Sequence, residues 1–225
     1  MKYLEFLNEL KSYQDPAFAE FQKKLIPTKQ KILGIRVPVM RMIAKRYRDR
    51  LEEIFEFPDE IFEVTFIKLT ILSLQPYDTF VESLERAVGL IDNWATCDSF
   101  KAKCIRNNKE EFLPVLADLF EIGGEFYERY VLVVLLSEYV EEMYLPLLFA
   151  YLENADKSLY YVHMAAACLT AEILIKSYEN GIRFLQSGGL DVKTRNKAIQ
   201  KAIESYRLTK EQKETLRSLK IKKIG

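Results

Sequence analysis

The chain has little with which to build a metal centre or a hydrolytic triad: of its 225 residues three are cysteine and one is histidine. Cys97, Cys104 and Cys168 are odd in number and lack any CxxC spacing, which argues against a disulfide framework and against zinc. His163 cannot complete a metal cluster by itself, and its apolar helical surroundings read as those of a packed or solvent-edge histidine. With one imidazole available, triad chemistry has little to stand on. Glycine and proline are also scarce, at eight and seven residues, and no Gly/Ser/Pro-rich linker divides the chain. A single domain over residues 1–225 is expected. No apolar run is long enough to span a bilayer, and Met1 to Tyr13 alternates charged with apolar residues, unlike a signal peptide. The expected compartment is the cytoplasm. Period-two alternation is nowhere sustained, so strands are not expected.

What is abundant is apolar and charged residues, 49% and 29% of the chain, the profile of helices with solvated outer faces around a shared core. Hydrophobic periodicity predicts helices over Tyr3 to Leu10, Pro16 to Leu25, Pro38 to about Arg50, Asp59 to Leu74, Asp78 to about Val88, and Trp94 to Asp98. Val39, Met42, Ile43 and Tyr47 are the expected apolar stripe of the third. Further helices are expected from there to Asn107, and over Glu110 to Phe120, Phe126 to Val140, Met143 to Leu152, Leu159 to Ser177, Tyr178 to Leu185, Val192 to Ser205 and Thr209 to Leu219. Ile32 to Pro38 reads as an irregular crossing, with Pro38 suited to a helix's first turn. The pairs recur at roughly 35–45 residues, the range of helical-repeat solenoids. A globular helical bundle has the same local periodicity.

A net charge of zero conceals segregation. From Lys23 to Arg50 ten basic residues meet one acid, and from Leu190 to Gly225 eleven meet four, leaving an acidic centre. Two basic ends on one face would bind a polyanion; solvated helix faces that happen to be basic would have the same composition.

The densest chemistry lies in Asp92-Asn93-Trp94-Ala95-Thr96-Cys97-Asp98, which contains the sole Trp of the chain. On a helix, Trp94 and Asp98 share a face one turn apart. An aromatic face beside a carboxylate stabilises a group that gains positive charge as it reacts. Simpler roles exist for each residue: Asp98 as an N-cap before Ser99, Trp94 as core, Arg129 as an ion-pair partner of Glu125, and Cys168 as a small buried filler.

Several segments in order carry a family likeness. Leu33-Gly34-Ile35-Arg36-Val37-Pro38 precedes a basic helix; Asn93-Trp94-Ala95-Thr96-Cys97-Asp98 follows, then Arg129-Tyr130-Val131-Leu132-Val133-Val134-Leu135-Leu136 and Tyr161-Val162-His163-Met164-Ala165. Thr194-Arg195-Asn196-Lys197-Ala198-Ile199-Gln200-Lys201 and Glu204-Ser205-Tyr206-Arg207 complete the set. Together they resemble the AlkD family of DNA alkylation repair glycosylases.

The resemblance implies an all-α, HEAT-like helical-repeat solenoid of antiparallel helix pairs, with a basic concave surface for double-stranded DNA. It also implies hydrolysis of the N-glycosidic bond of cationic N3- or N7-alkylated purines, without metal or organic cofactor, by approach from the sugar side with the lesion left stacked. By motif position Asp98 matches the catalytic carboxylate, Trp94 a sugar-packing aromatic, and Arg129 an arginine that contacts phosphate or carboxylate. A second sugar-packing Trp of the family falls on Cys168, a departure that puts substrate range or activity in question. Arg36, Arg41, Arg195, Lys197, Lys201 and Arg207 are candidate phosphate contacts. A monomer is expected, nucleoid-associated when DNA-bound. Two other functions fit the scaffold: a non-catalytic member recognising branched or damaged DNA, and a protein-interaction adaptor. Steeply salt-dependent DNA binding separates the adaptor from the other two.

Overall fold

The computed structural model describes residues 2–221 and is all-α, a fold of helical repeats with sixteen α-helices and no strand among the described residues. The chain folds as two compact units, residues 1–115 and 116–225.

In the first unit, helices α1 (Tyr3–Ser12), α2 (Pro16–Lys23), α3 (Val37–Arg46), α4 (Leu51–Phe55) and α5 (Phe62–Leu72) are followed by α6 (Tyr77–Glu82), α7 (Leu84–Val88), α8 (Trp94–Ser99), α9 (Cys104–Asn107) and the start of α10 (Lys109–Ile122). Three of these depart from the periodicity reading: the helix expected up to Asn107 is only the single turn α9, because residues 100–103 are not helical. Leu51, Ile54 and Phe55 make the short α4, which periodicity does not predict, and the helix expected up to Val88 breaks at Ser83 into α6 and α7. In α3 the buried residues are Met40, Ile43 and Ala44, while Met42 is 42% exposed. The core stripe is therefore rotated from the one expected through Val39 and Met42, and it follows the i, i+3, i+4 pattern from Met40. Arg41 and Lys45 remain on the exposed face.

Helix α5 is the axis of this unit. It is buried at every position except Thr70, and α3, α4 and α8 all pack against it. Two of its buried residues are charged, and each organises a segment that lacks regular structure. The Glu63 carboxylate accepts the backbone N–H groups of Leu33, Gly34 and Ile35 at 3.0, 2.8 and 3.2 Å. Burial pushes its carboxyl up, while those N–H groups act in the opposite direction. Lys68 Nζ donates to the carbonyls of Phe55 and Phe57 at 3.0 and 2.5 Å and to Asp59 Oδ1 at 2.6 Å. The crossing segment thus satisfies its amides on Glu63 instead of on a strand, and its one bridge pairs Lys31 with Ile61. Gly34 is required there: its φ is +86°, and a Cβ would overlap the Asp15 carbonyl and stand 2.7 Å from the Ala19 nitrogen. This geometry sets the entry to α3, whose Pro38 lies in the first turn.

Exchange of Glu63 for Gln tests that arrangement. The amide keeps the shape but turns an NH2 group towards N–H donors, leaving buried groups unpaired. Urea unfolding should show a loss of roughly 2–4 kcal/mol; an unchanged midpoint would remove Glu63 as the organiser of the crossing.

The second unit continues with α11 (Glu125–Glu138), a 3-10 turn at Glu142–Tyr144, α12 (Leu145–Asn154), α13 (Tyr160–Lys176), α14 (Tyr178–Ser187), α15 (Val192–Glu204) and α16 (Lys210–Ser218). Here the repeat is plain. Helices α11, α13 and α15 begin at residues 125, 160 and 192, spacings of 35 and 32 residues, and α13 packs against both of the others. Each is followed by the second helix of its pair. Ala165, Ala166 and Ala167 are buried in α13 and keep its surface low, which suits a helix flanked on both sides. Gly181 of α14 has the same function at closer range, since a Cβ there would stand 2.8 Å from Leu174 Cδ2.

Candidate functional site

The stretch singled out by sequence forms α8 and the turn before it. Asn93 is the N-cap, its side chain accepting the Thr96 N–H at 2.9 Å. Asp92 receives the Thr28 hydroxyl at 2.7 Å and the Lys29 N–H at 2.9 Å, so its carboxylate ties the segment after α2 to the start of α8. Trp94 adds to the same join: its indole N–H donates to the Leu25 carbonyl at 3.0 Å. The ring is not core, since Trp94 is 37% exposed with its polar edge anchored.

Asp98 lies one turn further on, half-buried, in the last turn of α8. The N-cap alternative fails, because Asn93 caps α8 and the next helix, α9, has Lys103 at its N-cap position. A carboxylate at a helix C-terminus faces the negative end of the helix dipole, a position that costs stability locally. What surrounds it has the opposite sign. Asp98 lines a cleft of about 430 Å³ with Arg41 and Lys45 of α3, Thr70 and Ser73 from α5 and its C-cap, and Lys101 and Lys103 from the segment after α8. Four cations face one carboxylate. All four are exposed, and the packing of α3 and α8 on α5 brings them to one mouth. Of these four, the sequence reading names Arg41 alone. Lys45 stands one turn beyond it on α3, and Lys101 and Lys103 follow Asp98 within five residues, so the signal that could have found them is their spacing from Arg41 and Asp98.

In the second unit Arg129 is buried in α11, 7% exposed. It donates to the Tyr161 carbonyl at 2.8 Å, its guanidinium carbon 5.6 Å from that residue's ring centroid. Glu125 accepts the Tyr161 N–H at 2.8 Å, and Glu128 accepts the Asp156 N–H at 2.7 Å. The first turns of α11 therefore hold the approach to α13. Cys168 is half-buried, not the buried filler its alanine-rich neighbourhood suggested, and it shares the open stripe of α13 with Met164 and Glu172.

The remaining phosphate candidates separate by what they already hold. Arg195 donates to the Leu219 carbonyl at 3.0 Å and to the Leu185 carbonyl, fastening the ends of α14 and α16. Arg207 grips both oxygens of Glu172 at 3.0 and 2.6 Å. Arg36 lies over the Phe18 ring at 3.6 Å and within 3.3 Å of Asp15. Lys197 lines a second cleft of about 610 Å³ together with Lys193 and Lys220, and Lys201 is half-buried one turn beyond it on α15.

Among the described residues no group of three or more His, Cys, Asp and Glu side chains could hold a metal ion, and no helix is long and apolar enough to cross a membrane.

A family model for DNA alkylation repair enzymes matches residues 6–204. The chain belongs to that family. Membership makes DNA its partner and a role in alkylation repair its setting. A search of curated proteins found no match. The family match extends across the crossing segment, α3 and α8.

Proposed function

We propose that this protein is a monofunctional DNA glycosylase that hydrolyses the N-glycosidic bond of cationic N3- or N7-alkylated purines in duplex DNA. The observation that carries the reading is Asp98, the sole carboxylate lining a cleft with four cationic side chains. Phosphates flanking a lesion are anionic, so Arg41, Lys45, Lys101 and Lys103 hold the backbone and bring the intervening sugar to the carboxylate. When the bond between C1′ and the base nitrogen breaks, its electron pair goes to the purine. The base leaves neutral, and the positive charge passes to the sugar as an oxocarbenium ion. Asp98 stabilises that cation and orients a water whose oxygen bonds to C1′, the released proton passing through the carboxylate to solvent. The lesion's own charge makes it a good leaving group, so an acid is not needed and a chain with one histidine is sufficient.

Trp94 supplies a second contribution, packing its open indole face against the sugar's C–H edge. Its substitution by Ala should slow excision roughly tenfold, the loss of about 1–2 kcal/mol of aromatic contact and cation stabilisation. Equal rates for the two proteins would mean that the indole serves only its bond to Leu25. Arg129 enters through its motif match alone, as an arginine that contacts phosphate.

The experiment is release of free 7-methylguanine or 3-methyladenine from methylated duplex DNA, with Asp98→Asn in parallel. The wild type should release base and the variant should be strongly impaired. A second reading is favoured by Cys168, whose short half-exposed side chain stands where the resemblance puts another indole: a member of the family that binds branched or damaged DNA without excising a base. Tight, salt-dependent binding with no base released would select it.

A further inference from the structure

The second cleft, in the unit that does not contain Asp98, has features the excision reading does not use. Its floor includes His163, 3% exposed on α13, and its walls include Tyr160, Met164, Val192, Lys193 and Lys197. The histidine's hydrogen bonding fixes which role its Nδ1 plays. Asp191 Oδ2 lies 2.5 Å from Thr194 Oγ1, and a carboxylate there only accepts, so the hydroxyl spends its one hydrogen on Asp191. Towards the imidazole, whose Nδ1 is 2.9 Å away, the same oxygen must therefore accept. Nδ1 carries the hydrogen. Burial lowers the imidazole's proton affinity below the ordinary value, and Lys193 acts in the same direction. Both effects favour the uncharged ring against the opposing pull of the Asp191 carboxylate, and in that form Nε2 is a bare acceptor; it forms no hydrogen bond among the described residues.

An acceptor that faces the cleft with no donor from the protein is half of a recognition pair. The other side of the cleft states the charge of what is missing: Lys193 and Lys197 bring two ammonium groups with no ion pair among the described residues, and the lysine at the rim, Lys220, is occupied by Gln200 at 2.7 Å. Tyr160, 57% exposed, with Met164 and Val192 offers an aromatic and apolar wall. A volume of about 610 Å³ suits a molecule of a few hundred daltons. We propose that this cleft binds one nucleotide, its phosphate on Lys193 and Lys197, its base against Tyr160 and Met164, and a sugar hydroxyl or base N–H donated to His163 Nε2. The nucleotide has two sources of the same chemistry, a free deoxynucleoside monophosphate or the 5′-phosphorylated end of a broken DNA strand. The proposal does not depend on excision at Asp98.

The sole histidine makes the test direct, because its Cε1 proton gives one unambiguous imidazole resonance to follow by NMR. Titration with deoxyadenosine 5′-monophosphate should shift that resonance saturably. In a Lys193→Ala/Lys197→Ala protein the apparent affinity should fall roughly tenfold or more, since charge-assisted contacts to the phosphate are lost. Tyr160→Ala should weaken it as well, and Asp98→Asn should leave it unchanged, which separates this site from the excision reading. A shift also produced by 5′-phosphorylated duplex, and absent with the 5′-hydroxyl duplex, assigns the site to strand ends; a shift with the mononucleotide alone assigns it to the free nucleotide. No shift with either, an equal shift from inorganic phosphate or from deoxyadenosine, or full affinity in the double-lysine variant would overturn the proposal.

Discussion

Replacing Asp98 by asparagine is expected to lower excision of 7-methylguanine from duplex DNA by roughly two or more orders of magnitude, about 3 kcal/mol of transition-state stabilisation. The amide has the size of the carboxylate and still orients a water, but it carries no charge to set against the oxocarbenium ion. Half-burial makes that charge count, because water screens it less than at an open surface. Affinity for unreacted DNA should move the other way or stay level. Asp98 is the sole anion lining the cleft, and removing it relieves repulsion with phosphate. Single-turnover excision and equilibrium binding on the same duplex separate the two effects. A variant that loses rate and affinity in equal proportion would give Asp98 a role in holding the fold of the cleft instead of a role in the reaction.

Neutralising the cleft is the complementary change. Arg41, Lys45, Lys101 and Lys103 are exposed, so changing all four to Ala should leave unfolding midpoints close to those of the wild type. Binding should suffer far more. If each neutralises one backbone phosphate, the slope of log affinity against log salt should become shallower by about three to four, and affinity at low salt should drop by on the order of a hundredfold. Four pairwise charge-pair losses at a protein surface would predict much less, since exposed pairs contribute little individually. The collective loss of counterion release is what distinguishes a DNA-binding cleft from solvated lysines. An unchanged salt slope would return these residues to the surface.

The placement of Trp94 and Asp98 was legible in the sequence for a specific reason: they are four residues apart on one short helix, and spacing on a helix translates directly into a shared face. The helices themselves were legible for the same reason, down to Pro38 in the first turn of α3. Charge was harder to interpret. Arg195 and Arg207 look like Arg41 in a composition count, yet one fastens the carbonyls of Leu185 and Leu219 and the other is held by Glu172. Whether a guanidinium meets a carbonyl, a carboxylate or solvent depends on tertiary neighbours that periodicity does not encode. Glu63 and Lys68 show the same limit in the core. Within the apolar run of α5 they interrupt the pattern, and only the amides of 33–35, the carbonyls of 55 and 57 and the carboxylate of Asp59 explain why two charges are buried there. His163 is a third example: the apolar run left a packed or a solvent-edge ring open, the ring is buried, and the hydrogen on its Nδ1 follows from Thr194 and Asp191, about thirty residues away in the chain.

A carboxylate and the lesion's own positive charge suffice, on this mechanism, for bond cleavage without an acid to protonate the base. Single-turnover excision from matched duplexes containing either 7-methylguanine, which is cationic, or O6-methylguanine, which is neutral, tests that claim most directly. The expected result is release of 7-methylguanine and none of O6-methylguanine over the same interval. Equal release of both, or release of neither by protein that binds both duplexes tightly, would contradict it.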